Sequence, residues 1–326
     1  MADAPRSIES MSDLRTPWCL HVVATLRVAD HIAAGSSDVA ALAEWTQCDA
    51  EALHRVMSYL ASRGVFVESS PGQFELNELG RELLEPSVRI GLDLDGIGGR
   101  MAGAWGTLLE YVRTGRPAYR ERFGLPFWED LDANPDIAAS FDALIGPAGH
   151  GVPSVDFELV DGWDGVRTVV DVGGGTGALL AELLRVRPQL QGTLVDLPRT
   201  VTRAAERFRA AGLGARATTL GQSFFDALPT GADLYLLKSV INDWPDAEAT
   251  AILRRCAQAA RAQSRVLVLG GLRPEDAART IEIEMVLCGG QQRTLSQFGR
   301  IASDAGLAVV RAGRQGKYFA VECRPA

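Results

Sequence analysis

Apolar residues recur at helical spacing between Thr16 and Ala33, where Leu20, Val23, Ala24, Leu26, Val28, Ala29 and Ile32 predict one helix that Gly35 ends. Ser37 or Asp38 opens a short helix running to Trp45, and Asp49 caps another over Ala50–Arg63, with Leu53, Val56, Met57 and Leu60 inward. Val65–Val67 and Gln73–Leu76 flank the turn sequence Ser69-Ser70-Pro71-Gly72 and predict a β-hairpin. Helices followed by a hairpin is a winged-helix order. Leu92–Arg113 reads as a helical stretch interrupted by Gly96, Gly98, Gly99 and Gly103. Phe127–Leu131 and Pro135–Ile145 read as short helices, and the glycine- and proline-rich run Gly146–Pro153 as a linker.

From Val166 the period changes. Strands at 168–172, 192–195, 215–220, 233–237 and 265–269 alternate with helices at 178–187, 200–211 and 246–261; a helix at 294–305 and strands at 307–311 and 317–323 complete the chain. This alternation predicts an α/β fold, a Rossmann-like doubly wound domain. Its first strand, Thr168–Val172, runs into Gly173-Gly174-Gly175-Thr176-Gly177, and the second ends in Asp196, 25 residues after Asp171. Glycines there let the backbone turn and let a ligand approach closely. An acid at that distance is placed to accept ribose hydroxyls. The loop fits a dinucleotide as well as another nucleoside-type cofactor, so the ligand stays open on the motif alone.

Hydrophobic content of 47% and charged content of 23% belong to an ordinary globular protein, and 326 residues suffice for two domains with adequate cores. A formal charge of −8 argues against a nucleic-acid binder. So does the helix Ala50–Arg63, whose only cations are Arg55 and Arg63; packing or dimerisation is the better reading of the winged-helix module. The helical stretch Thr16–Ala33 is apolar around much of its circumference, which predicts a homodimer formed through the N-terminal region. Cys19, Cys48, Cys256, Cys288 and Cys323 form no C-x-x-C pair, and the four histidines show no metal spacing, so neither a disulfide frame nor a metal site is expected. No apolar run approaches membrane-spanning length, and no signal-peptide core is visible in Met1–Met11. A cytoplasmic protein with no membrane partner is the expectation.

Further segments carry a resemblance. They are Thr16-Pro17 with Leu26–Asp30, the loop Asp171–Gly177, Asp196-Leu197-Pro198, Ser223–Asp226, Leu237-Lys238, Asp243-Trp244-Pro245-Asp246, and Gly289-Gly290 with Arg293-Thr294. In this order the chain resembles the S-adenosylmethionine-dependent small-molecule O-methyltransferases that carry an N-terminal winged-helix dimerisation domain. Val112–Tyr119, Pro126–Leu131 and Ser140–Leu144 are similar to the antibiotic-tailoring branch, which contains methyltransferases and a hydroxylase. The resemblance implies a dimerisation domain over 1–95, a helical linker contributing to the substrate pocket over 96–155, and an S-adenosylmethionine-binding domain over 156–326. It implies methyl transfer to an aromatic or polyketide-type small molecule, with S-adenosylhomocysteine as product. Asp171, Gly173, Gly175, Asp196, Leu197, Ser223, Phe224 and Lys238 then form the cofactor site: the glycines pass the methionine moiety, Asp196 accepts both ribose hydroxyls, and Ser223, Phe224 and Lys238 lie beside the adenine. Trp105, Trp128, Phe141, Ile145 and Met285 are the expected acceptor-pocket residues.

One departure bears on the chemistry. The family places a histidine base directly before Asp-Trp, and this chain has Asn242, an amide that takes no proton at neutral pH. The positions of the two supporting acids hold Gly270 and Gln292. Three explanations follow: catalysis by positioning alone, another base such as His150, or a reaction other than O-methylation, including N- or C-methylation, decarboxylation, hydroxylation or cyclisation. A ligand-sensing winged-helix regulator and a nicotinamide dehydrogenase are the readings from other classes. The sparse cations count against the first; Ser223-Phe224 and Asp243-Trp244 count against the second.

Overall fold

The computed structural model describes residues 7–326. Residues 1–6, which begin the expected N-terminal domain, lie outside the described residues. The chain divides into two compact units, one of residues up to Ala102 with Ala139–Leu144, the other of Gly103–Ala138 with Ile145–Ala326. The segment 96–155 is thus shared between them rather than forming a body of its own.

In the N-terminal unit, helices Arg15–Thr25, Val28–Ala33, Val39–Thr46 and Ala50–Ser62 precede an antiparallel hairpin of β1 (Phe66–Ser70) and β2 (Gln73–Leu76). The single helix expected over Thr16–Ala33 is two. Arg27 takes a left-handed conformation (φ 57°), and its guanidinium holds Asp30 through two hydrogen bonds of 2.8 Å. The core explains the break. Val23, Ala24, Val28 and Ala29 are all buried together with Leu42, Met57, Leu60 and Phe74. In a continuous helix, residues five apart lie roughly 140° apart around the axis. Only a change of direction puts both pairs in one core. The helical stretch expected to begin at Leu92 also divides. Leu92 ends a helix that starts at Pro86, and Ile97–Trp105 and Leu108–Thr114 follow.

The C-terminal unit is built on a seven-stranded sheet. Its strands are β3 (Thr168–Val172), β4 (Gln191–Asp196), β5 (Ala217–Gly221), β6 (Leu234–Lys238), β7 (Arg265–Leu269), β10 (Leu307–Gln315) and β11 (Tyr318–Pro325), in the spatial order β10-β11-β7-β6-β3-β4-β5. The five from β5 to β7 are parallel; β11 runs antiparallel to β7, and β10 antiparallel to β11. Alternating side chains fill a core on each face: Val170, Val172, Tyr235 and Leu237 on one, Val169, Leu194, Leu234 and Leu236 on the other. Between β7 and the helix Leu295–Asp304 the chain makes an excursion. It contains the helix Ile283–Leu287 and two short strands, β8 (Leu272–Arg273) and β9 (Arg293–Thr294), paired in parallel. The strand order reverses at β3 and β6, so ligands are expected at the carboxyl ends of these strands.

Candidate functional site

The loop after β3 is shaped by close approach. Gly173, Gly175 and Gly177 have φ of 69°, 58° and 76°. A Cβ on Gly173 would come within 2.7 Å of Val240 and 3.4 Å of Phe224, and one on Gly174 within 2.6 Å of the Asp171 carboxylate. A Cβ on Gly175 would meet nothing within 4 Å, so this residue faces open space. Asp196, at the end of β4, binds the loop: one carboxylate oxygen accepts from the Gly175 N–H (2.8 Å), the other from the Leu197 N–H (2.7 Å). Each oxygen keeps further acceptor capacity. Two parallel acceptors beside an open glycine loop suit a vicinal diol. Burial pushes the Asp196 carboxyl up, opposed by those backbone bonds. Asp171 is fully buried, and burial, with the Asp196 charge behind it, pushes its pKa up to about 7. Ser223 caps its own turn by accepting from the Phe225 N–H at 3.2 Å. Burial lowers the pKa of Lys238, partly offset by Asp171.

An aromatic wall stands beside this loop. Trp244 packs edge-on to Phe224 and Phe225, with centroids 5.8 and 5.0 Å away, and stacks on Trp128 at 5.7 Å. Of the expected pocket residues, Trp128 is therefore joined to the cofactor-side Phe224. Met285 is half-buried in the helix Ile283–Leu287, beside the turn at Ile241–Asp243. Ile145 lines a cavity with His150 and Lys238. Trp105 is exposed (40%), with no ring contact to the wall among the described residues. Phe141 belongs to the N-terminal unit.

Asn242 lies in the turn Ile241–Asp243. Its amide nitrogen donates to the Asp243 carboxylate at 2.8 Å, and its buried Oδ1 has no hydrogen-bond partner. Asp243 thus engages one of the two amide hydrogens, and Oδ1 is the acceptor that Asn242 leaves unpartnered. The glycine facing it is Gly271, whose Cβ would lie 2.8 Å from Asn242 Oδ1, whereas a Cβ on Gly270 would point toward Ser239 at 3.4 Å. Gly271 is thus the glycine that faces the amide, and neither Gly270 nor Gly271 supplies an acid. Gln292 is exposed. Burial and the neighbouring Glu284 push the Asp243 carboxyl well above the usual range.

Arg293 is a site-building residue that the sequence showed only as part of a motif. It is 1% exposed and donates to the backbone oxygens of Ile241 (2.7 Å) and Trp244 (2.8 Å) and to Asp246 (2.8 Å). It therefore clamps both sides of Asn242. Gly290 completes the clamp, because a Cβ there would lie 2.2 Å from the Asn242 carbonyl oxygen.

The chain is similar to known proteins. Residues 105–308 match the O-methyltransferase domain and residues 8–86 the O-methyltransferase dimerisation domain. The chain is 40% identical to 2,7-dihydroxy-5-methyl-1-naphthoate 7-O-methyltransferase of Streptomyces carzinostaticus, covering 93% of this chain and 92% of that one. It is 38% identical to aclacinomycin 10-hydroxylase RdmB of Streptomyces purpurascens, covering 93% and 84%. The crystal structure of the O-methyltransferase NcsB1 from neocarzinostatin biosynthesis, in complex with S-adenosylmethionine and 2-hydroxy-5-methyl naphthoic acid, superposes with a TM-score of 0.92 at 37% identity, covering 99% of this chain and 100% of that one. Similarity at this level over nearly the whole length, with both domains matched in order, establishes the chain as a member of the S-adenosylmethionine-dependent O-methyltransferases that carry an N-terminal dimerisation domain.

Proposed function

We propose that this chain methylates a hydroxyl oxygen of an aromatic, polyketide-type natural product, and that it does so by positioning rather than through a histidine base. The observation that carries the reading is Asn242 at the base position, one of its amide hydrogens tied to Asp243 and its other neighbour a glycine. The cofactor site fits S-adenosylmethionine: Asp196 presents two acceptors for the ribose hydroxyls, Gly173 and Gly175 let the methionine moiety pass, Leu197 fixes the Asp196 carboxylate, and Phe224 offers a ring face beside Ser223 for the adenine. The sulfonium methyl supplies the electrophile. The chain's own work is to hold the acceptor oxygen in line and exclude water. Asn242 Oδ1 accepts the acceptor's O–H, which points a lone pair of that oxygen away from the amide, and the hydroxyl proton is released to the medium with the methylated product. The stacked pair of Trp128 and Trp244 gives the ring an apolar seat. Proximity and orientation of this kind supply up to about 7–11 kcal/mol of barrier lowering.

The O-methyltransferase domain and the naphthoate-directed relatives favour methyl transfer over hydroxylation. The dimerisation domain supports a homodimer. No helix among the described residues is long and apolar enough to cross a membrane, and the five free cysteines are compatible with a cytoplasmic enzyme. Arg55, the one cation inside the helix Ala50–Ser62, pairs with Glu51 at 3.0 Å, which further weakens any case for a nucleic-acid partner. The test is mass spectrometry of hydroxylated naphthoic acids and polycyclic quinones incubated with enzyme and S-adenosylmethionine. The expected product gains one methyl on oxygen. A panel that yields only other mass changes, or none, refutes the assignment.

A further inference from the structure

A cavity of about 180 Å³ opens beside the carboxyl end of β6, with Ile145, His150, Lys238, Ser239, Lys317 and Tyr318 in its lining. Two ammonium groups and an imidazole thus share one small space with apolar surface. Local geometry puts them there. Successive residues of a strand point to opposite faces, but Ser239 adopts a left-handed conformation (φ 55°), and the turn brings both Lys238 and Ser239 to the cavity. Lys317 lies in the two-residue connection between β10 and β11, where Gln315 pairs with Tyr318. The first residue of that connection, Gly316, has φ 55°, as a tight hairpin turn requires. The Gln315 side chain accepts from the Glu158 N–H at 2.6 Å, which ties the hairpin end to the segment that follows His150. Lys317 is therefore presented by a short, anchored turn.

The charges in this cavity are unbalanced. Among the described residues, neither Lys317 nor His150 forms a side-chain hydrogen bond or ion pair. Burial, then Lys238 and Lys317, lowers the pKa of His150, against Glu284; Lys317 likewise lowers that of Lys238, against Asp171 and Asp243. Asp171 acts on Lys238 more strongly than Lys317 does, so the cation left without an ion partner among the described residues is Lys317. An anion entering the cavity would relieve the repulsion between the two lysines.

We propose that this cavity seats a carboxylate of the aromatic acceptor, with Lys317 as its ion partner and His150 donating a hydrogen bond, so that the enzyme selects hydroxylated aromatic acids over the same rings without the acid. The inference rests on the methyl-transfer reading, because the acceptor is what the cavity positions. The cofactor's methionine end carries the same group, and the experiment separates the two sources.

The experiment is calorimetry on the full chain saturated with S-adenosylhomocysteine, titrated with 1,4-dihydroxy-2-naphthoic acid and, separately, with 1,4-dihydroxynaphthalene. The wild-type protein is expected to bind the acid at least about tenfold more tightly, the scale of one charge-assisted hydrogen bond. Lys317→Gln, on an exposed turn, removes most of that preference while leaving the affinities for the diol and for S-adenosylmethionine within about twofold, below the energy of any such bond. Lys317→Arg restores the preference. Wild-type protein without the preference, Lys317→Gln that retains it, or Lys317→Gln that weakens both probes alike each overturns the proposal. Weakened S-adenosylmethionine binding in Lys317→Gln would assign the carboxylate to the cofactor and overturn it as well. The readout is binding, so absent turnover counts against methyl transfer and absent preference counts against this cavity.

Discussion

Asn242 marks the limit of what residue identity alone conveys. That it cannot act as a base follows from its chemistry. Which of its two polar atoms is available follows only from the backbone turn that points its nitrogen at Asp243. The same holds for Gly270 and Gly271. Both have positive φ, 79° and 70°, and two adjacent glycines cannot be told apart by pattern, yet only Gly271 faces the amide. This geometry sets the expected kinetics. Asn242→His gains less than about tenfold in turnover, well short of the 10²–10⁴-fold that a general base supplies, because Gly270 and Gln292 supply no orienting acid and the carboxyl that touches this side chain, Asp243, is pushed toward its neutral form by burial and by Glu284. Asn242→Ala keeps substantial turnover, since positioning carries most of the barrier lowering. Steady-state kinetics with cofactor affinity measured in parallel checks both. A loss beyond about 10³-fold in Asn242→Ala with intact cofactor binding would make the amide directly catalytic, on the scale of a removed transition-state donor.

At the level of elements, the parallel strands were the most legible part of the chain. The central ones, β3, β6 and β7, are short β-branched or leucine-rich runs buried on both faces, a pattern few other structures explain. The excursion between β7 and the helix Leu295–Asp304 was not legible. Its two-residue strands and five-residue helix have no period to read, and the segment is fixed by Arg293, whose partners lie 47 to 52 positions away in sequence. The break at Arg27 was hidden because each half of the Thr16–Ala33 run has helical spacing, and only the shared core forbids continuity. The junction of β3, the glycine loop and β4 behaves as one device, since Asp196 at the end of β4 ties the loop through the Gly175 N–H. Asp196→Ala should therefore do more than remove the ribose contacts. It also frees the N–H groups of Gly175 and Leu197 and loosens the loop. S-adenosylmethionine affinity by calorimetry should fall at least tenfold, given about 1.5–3 kcal/mol for each bond to a charged group. Unchanged affinity would falsify the placement of the ribose at Asp196.

For the whole molecule, the question is what covers the apolar surface of the N-terminal unit. Met11, Leu14 and Trp18 are 70%, 68% and 46% exposed. They are spaced three and four residues apart across the junction between the helices Ile8–Met11 and Arg15–Thr25. All three lie within the residues matched to a dimerisation domain. The helix Arg15–Thr25 already fills the core of its unit through Val23 and Ala24, so this exposed apolar surface is surplus to the fold of one chain. Large aromatic residues at the centre of such patches carry a disproportionate share of association energy. Light scattering at micromolar concentration should therefore give about twice the chain mass of 34.9 kDa. Trp18→Glu places a charge in an interface that must be desolvated and should shift the protein to monomer, weakening association by about 2 kcal/mol or more, a factor of at least ~30. Its circular dichroism and thermal midpoint at low concentration should match those of the dissociated wild type, since Trp18 is no part of the buried core. A Trp18→Glu protein that stays dimeric would move the interface elsewhere on the N-terminal unit. A wild-type monomer under the same conditions would refute dimerisation through this unit altogether.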